Sequence, residues 1–180
     1  MDSNKTPKLI GRKEIYKART FKLFKEIYHG ENGDVLIEAV RHRGAVAILP
    51  LLPDGKIILE RQYRYTISKW IIEVPAGTLE EGESDEACAS RELTEETGYR
   101  VKKLIKVGSI VMTPGYDDEM IRLFVAFVDD KAESTNLDED ELISIVPFSA
   151  QQIIEMIKKG EIFDAKTIAL FFMSKELGIF

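Results

Sequence analysis

The sequence predicts an α/β protein, with a small N-terminal β element ahead of a mixed body of strands and helices and a boundary near residue 40. Three observations carry this reading. The first forty residues interleave charge with Ile15, Tyr16, Phe21, Leu23, Phe24, Ile27 and Tyr28, a mix suited to strands with one solvated face. From Ala45 to Leu51 the text becomes an apolar run of the buried-strand type. Beyond residue 84, capped helical stretches alternate with further strands.

Taken in order, the N-terminal strands are expected over Glu14–Thr20, Lys22–Tyr28 and Val35–Val40, with residues 30–34 (Gly-Glu-Asn-Gly-Asp) turning between the last two. Pro53-Asp54-Gly55 turns the Ala45–Leu51 run into Lys56–Gln62, which predicts a hairpin. Trp70–Val74 reads as a short strand stopped by Pro75-Ala76-Gly77, with a loop from Gly77 to Glu83 and Trp70 facing the core. A helix follows to Thr97: Ser84 is its N-cap, Asp85 and Glu86 suit its positive end, and Gly98 stops it. Val101–Val111 and Met120–Val128 are expected to be paired strands. An acidic loop leads from Asp129 to Glu141, and a strand runs over Leu142–Pro147. Ser149 caps a helix over Ala150–Lys159, and Asp164 caps one over Ala165–Leu177.

Composition narrows the chemistry. In 180 residues, 44% are hydrophobic and 31% charged, with 25 Lys+Arg against 31 Asp+Glu. That is enough apolar content for a real core, and no apolar run reaches the ~20 residues needed to span a bilayer. The opening residues lack the apolar stretch of a secretory signal, and one cysteine, Cys88, forbids an internal disulfide, so a cytoplasmic location is expected. Two histidines and one cysteine argue against a His/Cys zinc cage, and neither His29 nor His42 sits in a triad context. Residues 1–30 hold eight Lys/Arg and three Asp/Glu, which a nucleic-acid arm would also show; the apolar interleaving favours solvated strands instead. Acid is densest from Glu73 to Glu96, with nine Asp/Glu and one Arg. Such repulsion needs a cation or a solvated helix face to relieve it.

On the helix, Ala89, Leu93 and Thr97 form one ridge, the natural face against a sheet. Glu92 and Glu96 are stacked beside that ridge, and Glu95 lies within reach of the Arg91 fork. Two adjacent carboxylates at the edge of a packed face suit Mg²⁺ or Mn²⁺, hard cations that take oxygen ligands. Spacing alone leaves a solvated acidic helix equally open.

The surrounding residues decide between them. Gly77-x5-Glu83-x7-Arg91-Glu92-Leu93-x-Glu95-Glu96-x-Gly98-Tyr99 resembles the Nudix box at every defined position. The resemblance implies the Nudix fold, an α/β/α sandwich with a mixed β-sheet, here carrying residues 41–180 with a 1–40 dimerisation element before it. It also implies that Glu92 and Glu96 are metal ligands, that Glu95 supports or joins them, and that Arg91 orients the glutamates. Glu83 would approach the metal from the loop, and the Ala76 carbonyl would be a further ligand, with Gly77 permitting the close approach.

Residues outside the box resemble the ADP-ribose pyrophosphatases. Thr113-Pro114-Gly115-x3-Glu119 is similar to their Ser-Pro-Gly-x3-Glu segment, with Thr for Ser. Arg43-Gly44-Ala45-Val46, Gln62-Tyr63-Arg64, Trp70 to Gly77 and Gly160-x-Ile162-x-Asp164-Ala165-Lys166-Thr167 extend the likeness over residues 35–175. It implies hydrolysis of ADP-ribose to AMP and ribose 5-phosphate, with GDP-mannose or another nucleotide sugar as the alternative substrate. A silent nucleotide sensor would have lost box carboxylates, and all remain. Arg64 and Arg43 are cation candidates for the diphosphate or terminal ribose, although Arg43 could simply pair with a nearby acid. Glu73 is a candidate acceptor for ribose or adenine, or else a strand-end charge facing water. Gly115 and Glu119 would line the substrate, and Phe24 and Tyr28 are aromatic candidates for the base. Asp138-Glu139-Asp140-Glu141 matches the subfamily's Asp-Glu-x-Glu, which implies Glu139 as general base and Glu141 as a further ligand; a solvated acidic linker is the alternative. Relatives pair as homodimers through N-terminal strands, and the same is expected here, with no nucleic-acid or membrane partner.

Overall fold

The computed structural model describes residues 6–129, 131–137 and 142–180. They divide into two compact units, one of residues 6–44 with Val111–Met120, the other of the described residues in Ala45–Ile110 and Ile121–Phe180. The four-residue stretch expected to carry Glu139 and Glu141 lies outside the described residues.

In the first unit, β1 (Lys8–Lys17), β2 (Phe21–Gly30) and β3 (Gly33–His42) form an antiparallel sheet in that order. All three run longer than their composition predicts, because cross-strand pairing recruits residues with poor strand propensity, including Gly11, Lys13 and Asp34. Gly30 pairs with Gly33, so the turn is two residues long, and Gly33 takes a φ of 103° that a side chain would resist. The expectation of one solvated face does not hold. Ile10, Ile15 and Tyr16 of β1 and Val35, Leu36 and Ile37 of β3 are all exposed.

What the sheet does bury is an acid. Glu26 is fully enclosed, with Arg12 Nε 2.7 Å from Oε1, the Arg41 fork on both carboxylate oxygens, and Tyr28 Oη donating at 3.1 Å. Arg41's hydrogen bonding holds Glu26 below the usual carboxylate range, against the opposing effect of burial. Arg41 Nη1 also donates to Asp118 at 3.2 Å, and Asp118 accepts from His42 N at 2.8 Å. The 111–120 connection is thereby tied to β3.

The second unit is a seven-stranded mixed sheet. Its path is β10 (Ile143–Phe148), β5 (Ile57–Arg64), β4 (Ala45–Leu51), β9 (Met120–Val128) and β8 (Val101–Val111), with β6 (Lys69–Glu73) on β5 and β7 (Ala76–Thr78) on β4. Every residue of β4 is buried, as its apolar run predicts, and it runs parallel to β9 along its whole length. The expected β4–β5 hairpin is paired only at Leu51 and Ile57. Beyond that point the strands part, since β10 occupies one edge of β5 and β9 one edge of β4. Their inner edges are taken instead by β6 and β7. The chain from Lys69 to Thr78 is therefore a wedge driven between β4 and β5. β7 is the strand the sequence does not announce: three residues are too few for a period.

Helix α1 (Asp85–Thr97) follows the wedge. Ser84 accepts from Ala87 N, and Gly98 closes the helix in the left-handed conformation at φ 72°. The predicted ridge of Ala89, Leu93 and Thr97 is fully buried, and Ala89 and Leu93 join Val46, Ile48 and Phe124 in one core cluster. Helix α2 (Ala150–Lys158) begins in a capping box of Ser149 and Gln152. Helix α3 (Ala165–Glu176) is capped by Asp164 and buries Lys166, Thr167, Leu170, Phe171 and Ser174. Among the described residues, no helix is long and apolar enough to cross a membrane.

Candidate active site

The wedge turns at Val74-Pro75-Ala76, and three elements hold this turn. Ile48 N of β4 donates to the Pro75 carbonyl at 2.9 Å, Val74 N donates to Thr167 Oγ1 of α3 at 2.9 Å, and Ala76 N donates to Glu96 Oε2 of α1 at 3.0 Å. The structure thus brings together Ala76 and Glu96, two of the residues singled out from sequence. The contact shown is through the amide of Ala76.

Gly77 lies against the helix so closely that a Cβ there would fall 1.8 Å from Glu92 Cδ and 2.0 Å from its Oε1. The Glu92 carboxylate occupies the space that any side chain at position 77 would need. This is a reason of contact, distinct from backbone conformation, for glycine at that point.

The remaining box carboxylates gather on Arg91. Its Nε and Nη2 form a fork on Glu83 at 2.9 and 2.9 Å, while Nη1 reaches Glu92 at 2.8 Å and Glu95 at 3.1 Å. The fork is spent on Glu83 rather than Glu95, because the loop folds Glu83 back and Glu80 N adds a further bond to it at 2.9 Å. Arg91 holds Glu83 down to about 2, overcoming the upward push of burial. Beneath them Cys88 is fully buried, 3.5 Å from Arg91 Nη2, and burial pushes its thiol up to about 12.

Among the described residues, no three of these acids converge into a preformed cation cage. Their chemistry nonetheless fits a hard divalent cation. Three carboxylates, Glu83, Glu92 and Glu95, gather on the one Arg91 guanidinium, Glu96 accepts from Ala76 N, and all four offer only oxygen donors. The excess negative charge is what a bound dication would balance.

Beside this cluster is a second polar group that is largely buried. Arg64, the last residue of β5, places Nε 2.7 Å and Nη2 2.9 Å from the two oxygens of Glu73. Glu73 is fully buried, so it is not a strand-end charge facing water. The pleat of β6 turns Ile71 and Glu73 inward and Trp70 outward. Trp70 is 43% exposed, contrary to its expected place in the core, with the Arg61 guanidinium 4.3 Å above its ring. Lys166 also binds Glu73, and reaches Asp164 at 3.0 Å. The quartet of Arg64, Glu73, Lys166 and Asp164 is electrically balanced. Reading the sequence assigns no role to Lys166 or Thr167, although both stand in the segment Gly160 to Thr167; the signal available was the Asp164 cap, which brings the first turn of α3 to this point.

Arg43, Gly115 and Glu119 belong to the first unit. Arg43 Nη2 donates to the Arg19 carbonyl at 3.0 Å, a backbone oxygen rather than the nearby acid considered above. Glu119 lies 3.4 Å from His42 Nδ1, which accepts from Gly44 N at 3.1 Å. Gly115 is exposed in a turn where Tyr116 N and Asp117 N both donate to the Thr113 carbonyl. Tyr28 is engaged with Glu26, and Phe24 lies under the Arg12 guanidinium at 5.1 Å.

A mixed sheet split by a wedge, with an acidic loop and helix seated against the wedge's turn, defines the Nudix type of α/β fold. The NUDIX domain model matches residues 41–171, and the chain belongs to that family, the Nudix hydrolases. An ADP-ribose pyrophosphatase of Bacillus subtilis (strain 168) is 38% identical over 165 residues, 89% of this chain and 88% of that protein. A methanol dehydrogenase activator of Bacillus methanolicus is 37% identical over 163 residues, with coverage of 89% and 88%. The crystal structure of an ADP compounds hydrolase matches with a TM-score of 0.81 at 25% identity, over 98% of this chain and 96% of that one.

Proposed function

We propose that this chain hydrolyses the diphosphate of ADP-ribose, giving AMP and ribose 5-phosphate, with Mg²⁺ as its cofactor and Mn²⁺ as a substitute. The observation that carries the reading is the carboxylate cluster on α1, complete and seated against Gly77. The Bacillus subtilis relative and the structurally similar hydrolase of ADP compounds support the substrate.

Glu92 and Glu96 are the ligands of the metal, joined by Glu83 and the Ala76 carbonyl, with Glu95 in support and Arg91 orienting them. When bound, the dication supplies an acidified water and neutralises charge on the bridging oxygens. The protein's own residues do the rest. Arg64, held by Glu73, presents a guanidinium suited to a phosphate or terminal ribose; Arg43, Gly115 and Glu119 contribute to substrate binding. Glu139 takes the proton of the attacking water and Glu141 adds an oxygen ligand, roles that rest on the Asp-Glu-x-Glu resemblance alone.

The exposed apolar residues of β1–β3 support a homodimer formed through these strands, since a sheet this apolar is unfavourable in water on both faces. The lone buried thiol accords with the cytoplasm.

The reading is tested by incubating the protein with Mg²⁺ and ADP-ribose, GDP-mannose, NADH or ADP-glucose and weighing the products by mass spectrometry. ADP-ribose should be cleaved fastest, to AMP and ribose 5-phosphate. Preferred cleavage of GDP-mannose would move the assignment to that substrate. Glu139→Gln should retain Mn²⁺ and ADP-ribose binding and lower kcat by ~10² or more, whereas near-normal turnover removes Glu139 from the role.

A further inference from the structure

The first turn of α3 touches the candidate site at two points, and neither contact has a role in the reading above. Thr167 Oγ1 accepts from Val74 N, and Asp164 in turn accepts from Thr167 Oγ1 at 2.6 Å and Thr167 N at 2.9 Å. Lys166 binds Glu73, the residue that grips Arg64. Thr167 is fully buried and Lys166 nearly so. The turn itself does not drift, because Leu170, Phe171 and Ser174 bury the same stripe of α3 for two turns beyond it.

We propose that Thr167 and Lys166 are positioning residues of the hydrolytic site, Thr167 fixing the Val74–Ala76 turn that carries the metal-ligating carbonyl and Lys166 setting how firmly Glu73 holds Arg64. This rests on the reading of the site given above. Two arguments distinguish it from simple core packing.

Val74 is buried and its amide has Thr167 Oγ1 as acceptor. Pro75 contributes no amide, so the turn is defined by three bonds, from Val74 N, the Pro75 carbonyl and Ala76 N. Removing the first leaves a buried donor unpaired two residues from Ala76. Glu73, for its part, is shared between two cations. With Lys166 present, its charge is divided and Arg64 is gripped less tightly; without Lys166 the whole carboxylate falls to Arg64 and competes with an incoming phosphate.

The two residues therefore have separable signatures. Mn²⁺ binding to the full-length protein, without substrate, is followed by loss of the free-ion EPR signal. Thr167→Val, which keeps shape and deletes the hydroxyl, should weaken Mn²⁺ binding about fivefold to tenfold, a loss matching one hydrogen bond. Thr167→Ser should bind within twofold of wild type. Lys166→Met should leave Mn²⁺ affinity within twofold but raise KM for ADP-ribose about tenfold with kcat little changed, and Lys166→Arg should restore KM.

Equal Mn²⁺ affinity in wild type and Thr167→Val overturns the Thr167 assignment even if Tm falls, because then the bond serves folding alone. Unchanged KM in Lys166→Met overturns the Lys166 assignment. Failure of the substrate reading has a different mark: the wild-type protein binds Mn²⁺ and leaves ADP-ribose intact, while the Mn²⁺ comparison still decides Thr167.

Discussion

Replacing Gly77 by alanine would test the site through a single methyl group. The added Cβ meets Glu92 Cδ at 1.8 Å, and ordinary contact begins near 3.4 Å, so the carboxyl carbon must retreat by at least about 1.6 Å. The obstacle is the far end of a flexible side chain, and the glycine does not need a positive φ. The fold therefore accommodates the change: Glu92 swings away and gives up its bond from Arg91, a cost of order 0.5–1.5 kcal/mol. Function does not accommodate it, because misplacing a reacting group by ~1 Å costs on the order of 10² in rate. We expect Gly77→Ala to keep its urea midpoint nearly unchanged and to lose ~10²-fold or more in kcat/KM for ADP-ribose, with Mn²⁺ binding weakened in parallel. A variant that keeps activity within threefold of wild type would refute the idea that Glu92 must stand where the structure places it.

Other expectations follow from the buried charges. Glu83 titrates at about 2 in the folded chain against 4.5 for a free side chain. A depressed carboxylate stabilises above its unfolded pKa and loses that contribution as pH falls through the folded one, so up to about 3 kcal/mol present at pH 6 should fade between pH 4.5 and 2. Urea unfolding of wild type and Glu83→Gln should therefore differ at pH 6 and draw together as pH falls toward 3; a gap independent of pH would contradict the Arg91–Glu83 pairing. Cys88, buried with its thiol near 12, should resist Ellman's reagent at pH 8 in the folded protein and react promptly in urea. Stoichiometric labelling of the native chain would show the site helix to be less closed than described. Glu26→Ala removes the acid that Arg12, Arg41 and Tyr28 share, and should cost about 2 kcal/mol, seen as faster hydrogen exchange of β2 and β3 amides. Unaltered exchange would mean that the arginines satisfy themselves elsewhere.

Local signals made much of this protein legible before its structure. Helix ends were readable because caps are local chemistry: Ser84, Ser149 and Asp164 all cap as their types predict. The ridge of Ala89, Leu93 and Thr97 was readable because helical period is strict. What escaped was set by partners distant in sequence. Nothing local tells β4 to leave β5 after one pair, since the edge is claimed by a segment met later. Trp70 lies outside its expected place and Glu73 inside for the same reason: an acid goes inside only where Arg64 and Lys166 await it. Glu26 in the N-terminal sheet follows that rule as well. The identities of the box acids were plain, while their gathering on Arg91 depended on how residues 77–83 fold back.

The parallel ladder between β4 and β9 bears on how the molecule comes into being during synthesis. Ala45 through Leu51 find their parallel partners at Ile121 through Phe127, so the middle of the sheet closes only after β5 to β7, α1 and β8 have been made. Closure over so long a span is slow, and the apolar β4 is unshielded in the nascent chain until then. A fragment ending before Met120 would carry every box glutamate and still lack β9, whose Phe124, Ala126 and Val128 complete the core beside α1. Transplanting residues 77–98 into another protein should fail for the same reason, because the acidic helix acquires its arrangement from strands that are not its neighbours in sequence.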